Sequence, residues 1–221
     1  MKKAVLVTFT AAIAFLSPGL ASAAMIDITL GAQGFSDGDI VLPLAFDAAS
    51  GGEPAPFDAF QGNDPSPGPD FSASWLFNYL VPPLDVMLSA SIEFGIVDHD
   101  SAHTGSQLAS FGVDGNDLTS GLDALFETAG DGANNQYDVY LLALPATAFP
   151  DLVDGVATFS LLLQGPTPGF LEDQPNNGAG VDFARLRIET MSTGQVPEPS
   201  TALMFLLGMA ALVVRSRSRR N

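Results

Sequence analysis

The sequence predicts an all-β protein, an antiparallel β-sandwich of jelly-roll type, flanked by an N-terminal signal peptide and a C-terminal hydrophobic helix. Three observations predict it. Short segments of alternating apolar and polar residues recur through the middle of the chain, clusters of Gly, Asp, Asn and Pro punctuate them, and the longest apolar runs lie at the two ends.

The start carries Lys2 and Lys3, an apolar run over residues 4–16, then Ser17, Pro18 and Gly19, and the small residues Ala21, Ser22 and Ala23. These are the three parts of a secretory signal peptide, residues 1–23, with signal peptidase expected to cut after Ala23 once the translocon has delivered the chain. The run is too short for a membrane span, which disfavours the alternative of an uncleaved anchor.

Residues 24–195 are expected to form one sandwich domain. The strand candidates in order are residues 25–30, 40–46, 71–80, 86–96, 107–113, 137–144, 156–164 and 181–189. In the clearest of them Leu88, Ala90, Ile92, Phe94 and Ile96 take one face, while Ser89, Ser91 and Glu93 take the other. The candidate at 71–80, with Trp75, Phe77 and Tyr79, is expected to pair beside it across the break at Pro82 and Pro83. Two short helices are expected. Leu118, Leu122, Leu125 and Phe126 recur at helical spacing after Asp117, a capping residue, and residues 146–153 make a turn of helix. Residues 47–70, with five Pro and four Gly, read as a long irregular loop tacked down by Phe57 and Phe60.

Charge narrows the function classes. The chain carries a net charge of -17 and no Cys, and its basic residues crowd at the ends. Within 24–195 every acidic residue except Glu198 is present, 24 against Arg185 and Arg187 alone, a formal charge of -22. Such a body repels phosphate backbones, so nucleic acid is excluded as a partner. It must leave most carboxylates solvated or recruit cations such as calcium.

The end of the chain has three parts: Pro197, Glu198 and Pro199, an apolar run over 201–214, and the cluster Arg215, Arg217, Arg219 and Arg220. The prolines hold an extended, accessible peptide. The run would measure about 21 Å as helix, enough to sit in a bilayer with thinning, and the arginines would stay cytoplasmic. This tail, residues 196–221, resembles the PEP-CTERM sorting signal. The resemblance implies recognition by an exosortase, an integral membrane cysteine protease, with cleavage near Pro197, Glu198 and Pro199. It also implies transient inner-membrane anchoring through 201–214, then transfer to the cell surface or extracellular matrix. More loosely, residues 85–190 are similar to the anchored β-sandwich domains found ahead of such tails, through 97–100, 111–119 and 176–183, a similarity that implies no activity.

Within the body, Asp98 and Asp100 stand where the strongest strand ends, and Asp114, Asn116, Asp117 and Asp182 lie in further oxygen-rich loops. Calcium takes six to eight oxygens, and loops meeting at one end of a sandwich could supply them; plain turn chemistry is the competing explanation. No EF-hand spacing is present. His99 and His103, four apart, would suit zinc on a helix, but a loop reading leaves them as solvent-exposed histidines. Trp75, Tyr79, Tyr137 and Tyr140 could make a sugar platform, yet their place in apolar strands assigns them to the core. Without Cys or a Gly-x-Ser-x-Gly elbow, nucleophilic catalysis lacks a signature. The expected function is therefore an exported, exosortase-sorted, non-enzymatic surface or matrix protein associated with exopolysaccharide. The alternatives are a calcium-stabilised carbohydrate-binding module and a secreted polysaccharide-active hydrolase.

Overall fold

The computed structural model describes residues 23–192 except 63–67, 84, 101–102, 104, 130–132 and 167–174. Residues 1–22 of the expected signal peptide, the expected helix over 201–214 and the sorting residues Pro197, Glu198 and Pro199 lie outside the described residues. Among the described residues no helix is long and apolar enough to cross a membrane.

Among the described residues eight strands form two antiparallel four-stranded sheets. In chain order they are β1 (Ala23–Gly31), β2 (Ser72–Asn78), β3 (Asp85–Val97), β4 (Leu108–Val113), β5 (Asn116–Asp117), β6 (Tyr137–Ala143), β7 (Val156–Leu163) and β8 (Gly180–Ser192). One sheet runs β1-β8-β3-β6 and the other β2-β7-β4-β5. The first strand thus pairs with the last, β2 with β7, β3 with β6 and β4 with β5, the nested order of a jelly roll. Among the same described residues the connecting helices are α1 (Pro43–Ser50), α2 (Thr119–Ala129) and, after a 3-10 turn, α3 (Phe149–Leu152).

The alternation in the strands explains the layers. Along β2 the residues Ala73, Trp75 and Phe77 are buried between exposed neighbours, and along β7 Ala157, Phe159, Leu161 and Leu163 are buried in the same way. They face Ala90, Ile92, Phe94 and Ile96 of β3 and Leu186 and Ile188 of β8 in one core. Its centre is aromatic. The Trp75 ring stacks on Phe159 at 5.9 Å, and Phe94 meets Phe111 at 5.7 Å across the two sheets. Trp75 and Tyr140 are buried in this core, whereas Tyr137 is buried in a separate cluster on the other face of its sheet.

A second, smaller cluster packs on the outer face of the first sheet. Phe46 of α1 packs with Val41, Val97, Tyr137 and Phe183, and Phe35 closes over it. Gly180 makes this possible, because a Cβ there would reach to 2.6 Å from the Phe46 ring. Phe57 enters the main core and Phe60 packs against the smaller one, so these two residues fasten the Pro- and Gly-rich segment, whose first residues, 47–50, belong to helix α1 and not to a loop.

Three local expectations are corrected. Residues 40–46 are not a strand: Pro43 opens helix α1 at its first turn, where a missing N–H costs nothing, and only Ile40 keeps a bridge, to Gln136. Strand β2 does not lie beside β3; the connection through Pro82 and Pro83 crosses from one sheet to the other. Leu88 does not join the buried face, since a bulge between Met87 and Ser89 resets the alternation and leaves Leu88 45% exposed while Met87 turns inward.

Candidate functional site

Strand β3 ends in a turn in which Asp98 and Asp100 both take left-handed backbone, at φ 61° and 53°. Asp tolerates this conformation better than most residues. The turn is buried: Asp98, His99 and Asp100 are all enclosed. Asn135 N–H donates to Asp98 Oδ1, Asp98 N–H donates to the Gln136 carbonyl at 2.9 Å, and His103 N–H closes the turn on the Asp100 carbonyl at 2.9 Å.

His99 is therefore not a solvent-exposed loop residue. Its ring is held edge-on to Phe126 at 4.4 Å, and Nε2 lies 2.6 Å from the Tyr140 hydroxyl and 3.8 Å from Asp138 Oδ2. Burial lowers its pKa to about 3, so the imidazole is neutral at physiological pH. Asp138 is oriented in turn by Gln136 Nε2 at 3.1 Å. Asp138 is the member of this cluster that the sequence reading missed, whereas Tyr140 lies in the core to which its strand assigns it. A polar residue at an inward position of a strand is the signal that would have found Asp138.

Asn177 ties the turn to the opposite sheet. Its N–H donates to Asp70 Oδ1 at 3.0 Å, its carbonyl accepts from Phe71 N–H at 2.6 Å, and its Nδ2 donates to the His99 carbonyl at 3.3 Å and the Gln164 carbonyl at 3.4 Å. Asp182 stands apart, on the outer face of the first sheet. The register slips between Gly95 and Ile96, and the resulting bulge in β8 presents Asp182 to the Tyr137 hydroxyl at 2.9 Å and to Gly34 N–H at 2.8 Å. Burial holds its carboxyl above the usual range, against the opposing pull of those hydrogen bonds.

Asp114, Asn116 and Asp117 lie at the far end of the molecule. Asp114 and Gly115, at φ 48° and 82°, form the two-residue turn that joins β4 to β5, a type I′ hairpin signature. Asp114 Oδ1 accepts from Thr158 N–H at 2.9 Å. Asn116 Nδ2 donates to Asp151 Oδ2 at 2.8 Å, and Asp117 Oδ1 caps α2 by accepting from Thr119 N–H at 2.9 Å and its hydroxyl at 2.6 Å. The hydrogen bonds from Thr119 lower the Asp117 pKa. Beside them a shallow open groove of about 400 Å³ is lined by Ser110, Asp114, Asn116, Asp117, Thr158 and Ser160.

The oxygen-rich loops thus do not meet at one place. Strand β7 separates them: its Leu163 end pairs with Leu108 and reaches Asn177 through Gln164, whereas its Val156 end pairs with Asn78 next to the Asp114 turn. Among the described residues no three His, Cys, Asp or Glu side chains stand close enough to hold a metal by themselves.

No curated protein matches the chain. The PEP-CTERM protein-sorting motif matches at residues 195–220, immediately beyond the sandwich, and its presence there marks the chain as an exported protein that an exosortase sorts to the cell surface.

Proposed function

We propose that the chain is a non-enzymatic protein of the cell surface or extracellular matrix, exported through a cleaved signal peptide, anchored transiently in the inner membrane, and associated with exopolysaccharide once released. The sorting motif at 195–220 is the observation that carries this reading. The sandwich supports it in two ways. Strand β1 begins at Ala23, the last residue of the expected signal peptide, and β8 ends at Ser192, three residues before the motif, so removal of both ends takes the Ala23–Met191 pair from the sheet and leaves the other strand pairings standing. The groove beside β4 and β7 offers the hydroxyls of Ser110, Thr158 and Ser160 together with Asn116 and Asp117, a polar set suited to the hydroxyl groups of a saccharide. His99, neutral and enclosed beside Tyr140, is poorly placed for acid–base work on an external substrate.

The test is intact mass with cell fractionation in the native host, for the wild type and for a variant with Pro197, Glu198 and Pro199 replaced by Ala. The wild type is expected at the surface or in the matrix without residues 1–23 and without the apolar tail, and the variant at full tail length in the inner membrane. Release of the variant at unchanged size overturns the exosortase reading, and a wild type that keeps 201–221 in the inner membrane makes the tail a simple anchor. Co-sedimentation with the host's exopolysaccharide, expected for wild type and reduced by Asn116→Ala with Asp117→Ala, tests the association separately.

A further inference from the structure

The end of the sandwich where β3 exits gathers oxygen atoms from four segments of chain. Asp98 and Asp100 are each 2% exposed, and Asp98 is fixed by the Asn135 N–H. Arg185 and Arg187, the body's only Lys or Arg side chains, lie on the outer face of the first sheet, where Arg185 pairs with Asp27 and Arg187 with Asp27 and Glu93.

Two buried amides supply the independent observation. Asn177, fully buried, lies against the turn with its Nδ2 donating to the carbonyls of His99 and Gln164. Two carbonyl acceptors fix the orientation of that amide, since its oxygen in the same place would face two other oxygens. Asn177 Oδ1 is therefore the end left inside, buried and without a hydrogen-bond donor. Gln107, 1% exposed, repeats the arrangement: Nε2 donates to the Pro166 carbonyl at 3.3 Å, and Oε1 is buried with no donor. Gln164 links the two, because its N–H donates to the Gln107 carbonyl at 2.8 Å while its own carbonyl accepts from Asn177. A buried amide oxygen left without a donor is costly, and an oxygen lone pair that lacks a donor is satisfied equally well by a hard cation.

We propose that this end of the sandwich binds one calcium ion, with Asp100 supplying the carboxylate and Asn177 Oδ1 and Gln107 Oε1 the neutral side-chain oxygens. Calcium suits the set better than magnesium, because it accepts irregular coordination by carboxylate and amide oxygens without demanding a near-octahedral, largely hydrated shell. The site is smaller than the one the sequence suggested. It takes Asp100 from that group, uses Asp98 to position the turn, leaves Asp182 to Tyr137, and leaves Asp114, Asn116 and Asp117 to the far end. It depends on neither the tail nor export.

The experiment uses the exported protein purified from its host and dialysed against metal-free buffer, with calcium content by mass spectrometry and calcium titration by calorimetry. One calcium per chain is expected, with a Tm raised by several degrees in millimolar calcium and not by the same concentration of magnesium. Gln107→Ala and Asp100→Asn are each expected to weaken calcium binding at least about tenfold, and Asp114→Asn to leave it unchanged. Wild-type protein that binds no calcium and melts identically in calcium and chelator overturns the proposal, water then satisfying the amides. So does loss of affinity in Asp114→Asn equal to that in Gln107→Ala. Should Asp100→Asn fail to fold, Gln107→Ala decides.

Discussion

The Tyr137 hydroxyl lies directly over Gly95 and donates to Asp182 Oδ2 at 2.9 Å. A Cβ on Gly95 would collide with that hydroxyl and press on the Phe183 ring, so the glycine is a packing requirement of the outer cluster. Gly95→Ala is expected to destabilise the fold by about 2 kcal/mol or more, since both neighbours are pinned between strands and α1. Tyr137→Phe relieves no clash but removes a donor from a buried carboxylate, at a cost of about 1–3 kcal/mol. The double variant distinguishes the two effects. If the clash is with the hydroxyl, Gly95→Ala costs less in the Tyr137→Phe background, which urea denaturation of the four proteins in a cycle measures.

His99 makes the fold sensitive to mild acid. Its folded pKa of about 3 lies below the unfolded value near 6.5, so the neutral ring contributes stability that is complete above about pH 6.5. As pH falls below that value the unfolded chain takes up a proton and the folded ring, enclosed by Tyr140, Phe126 and Asp138, does not. The expected loss approaches about 1.4 kcal/mol per pH unit between pH 6 and 4. Asp182 acts in the opposite sense: its raised pKa means the folded state protonates first, which offsets part of the loss as the pH reaches the carboxylate range. Midpoints of denaturation across pH 7 to 4.5 are expected to fall steeply in wild type and to flatten in His99→Phe. Parallel slopes in the two proteins would assign the acid sensitivity to carboxylates instead.

Trp75 contributes by its rings and not by its N–H. The indole stacks on Phe159 and tilts against Phe57, Phe94 and Phe111 at 6.2–6.5 Å, whereas Nε1 is buried with no hydrogen-bond partner. Trp75→Ala is expected to cost about 3–5 kcal/mol, the range for deleting a large buried aromatic. Trp75→Phe removes the orphan donor together with some volume and is expected to cost under half as much. Equal costs would mean that the N–H finds a partner in solution.

What could be read from the sequence was local, and what could not was relational. Every strand with an alternating pattern was legible, from 25–30 through 181–189, because period two is a property of the segment itself. The partner of each strand was not. Trp75 and Phe94 lie close in the chain, yet their strands belong to different sheets, and only the crossing after Pro82 decides that. Residues 40–46 looked like a strand because Ile40, Val41, Leu42 and Leu44 are apolar, but Pro43 starts a helix whose Phe46 covers Gly180, a contact no local pattern contains. The oxygen-rich loops were each visible, but strand β7 separates the Asp114 turn from the Asp98 turn. Asn177 stood in one of those loops and gained its importance only from where its amide points. The sorting motif was legible, since proline pair, apolar run and arginines are all written consecutively.

The outer cluster is expected to open without the sandwich. None of Phe46, Val41, Val97, Tyr137 and Phe183 belongs to the main core, and α1 is a helix of eight residues, too short to hold without its buried face. Phe46 is its anchor, fully buried against Gly180 and stacked near Phe35 at 6.0 Å, while Leu44 on the same helix is 84% exposed. Phe46→Ala therefore removes most of what fastens α1, at a cost of about 3–5 kcal/mol if the loss is felt by the whole fold, and less if the helix detaches alone. Trp75, the chain's only tryptophan, sits in the other cluster and reports on it separately. In Phe46→Ala, tryptophan fluorescence is expected to stay native while amide exchange accelerates across α1 and around Val41. Exchange that accelerates equally in β2 and β7 would show instead that the two clusters open as one.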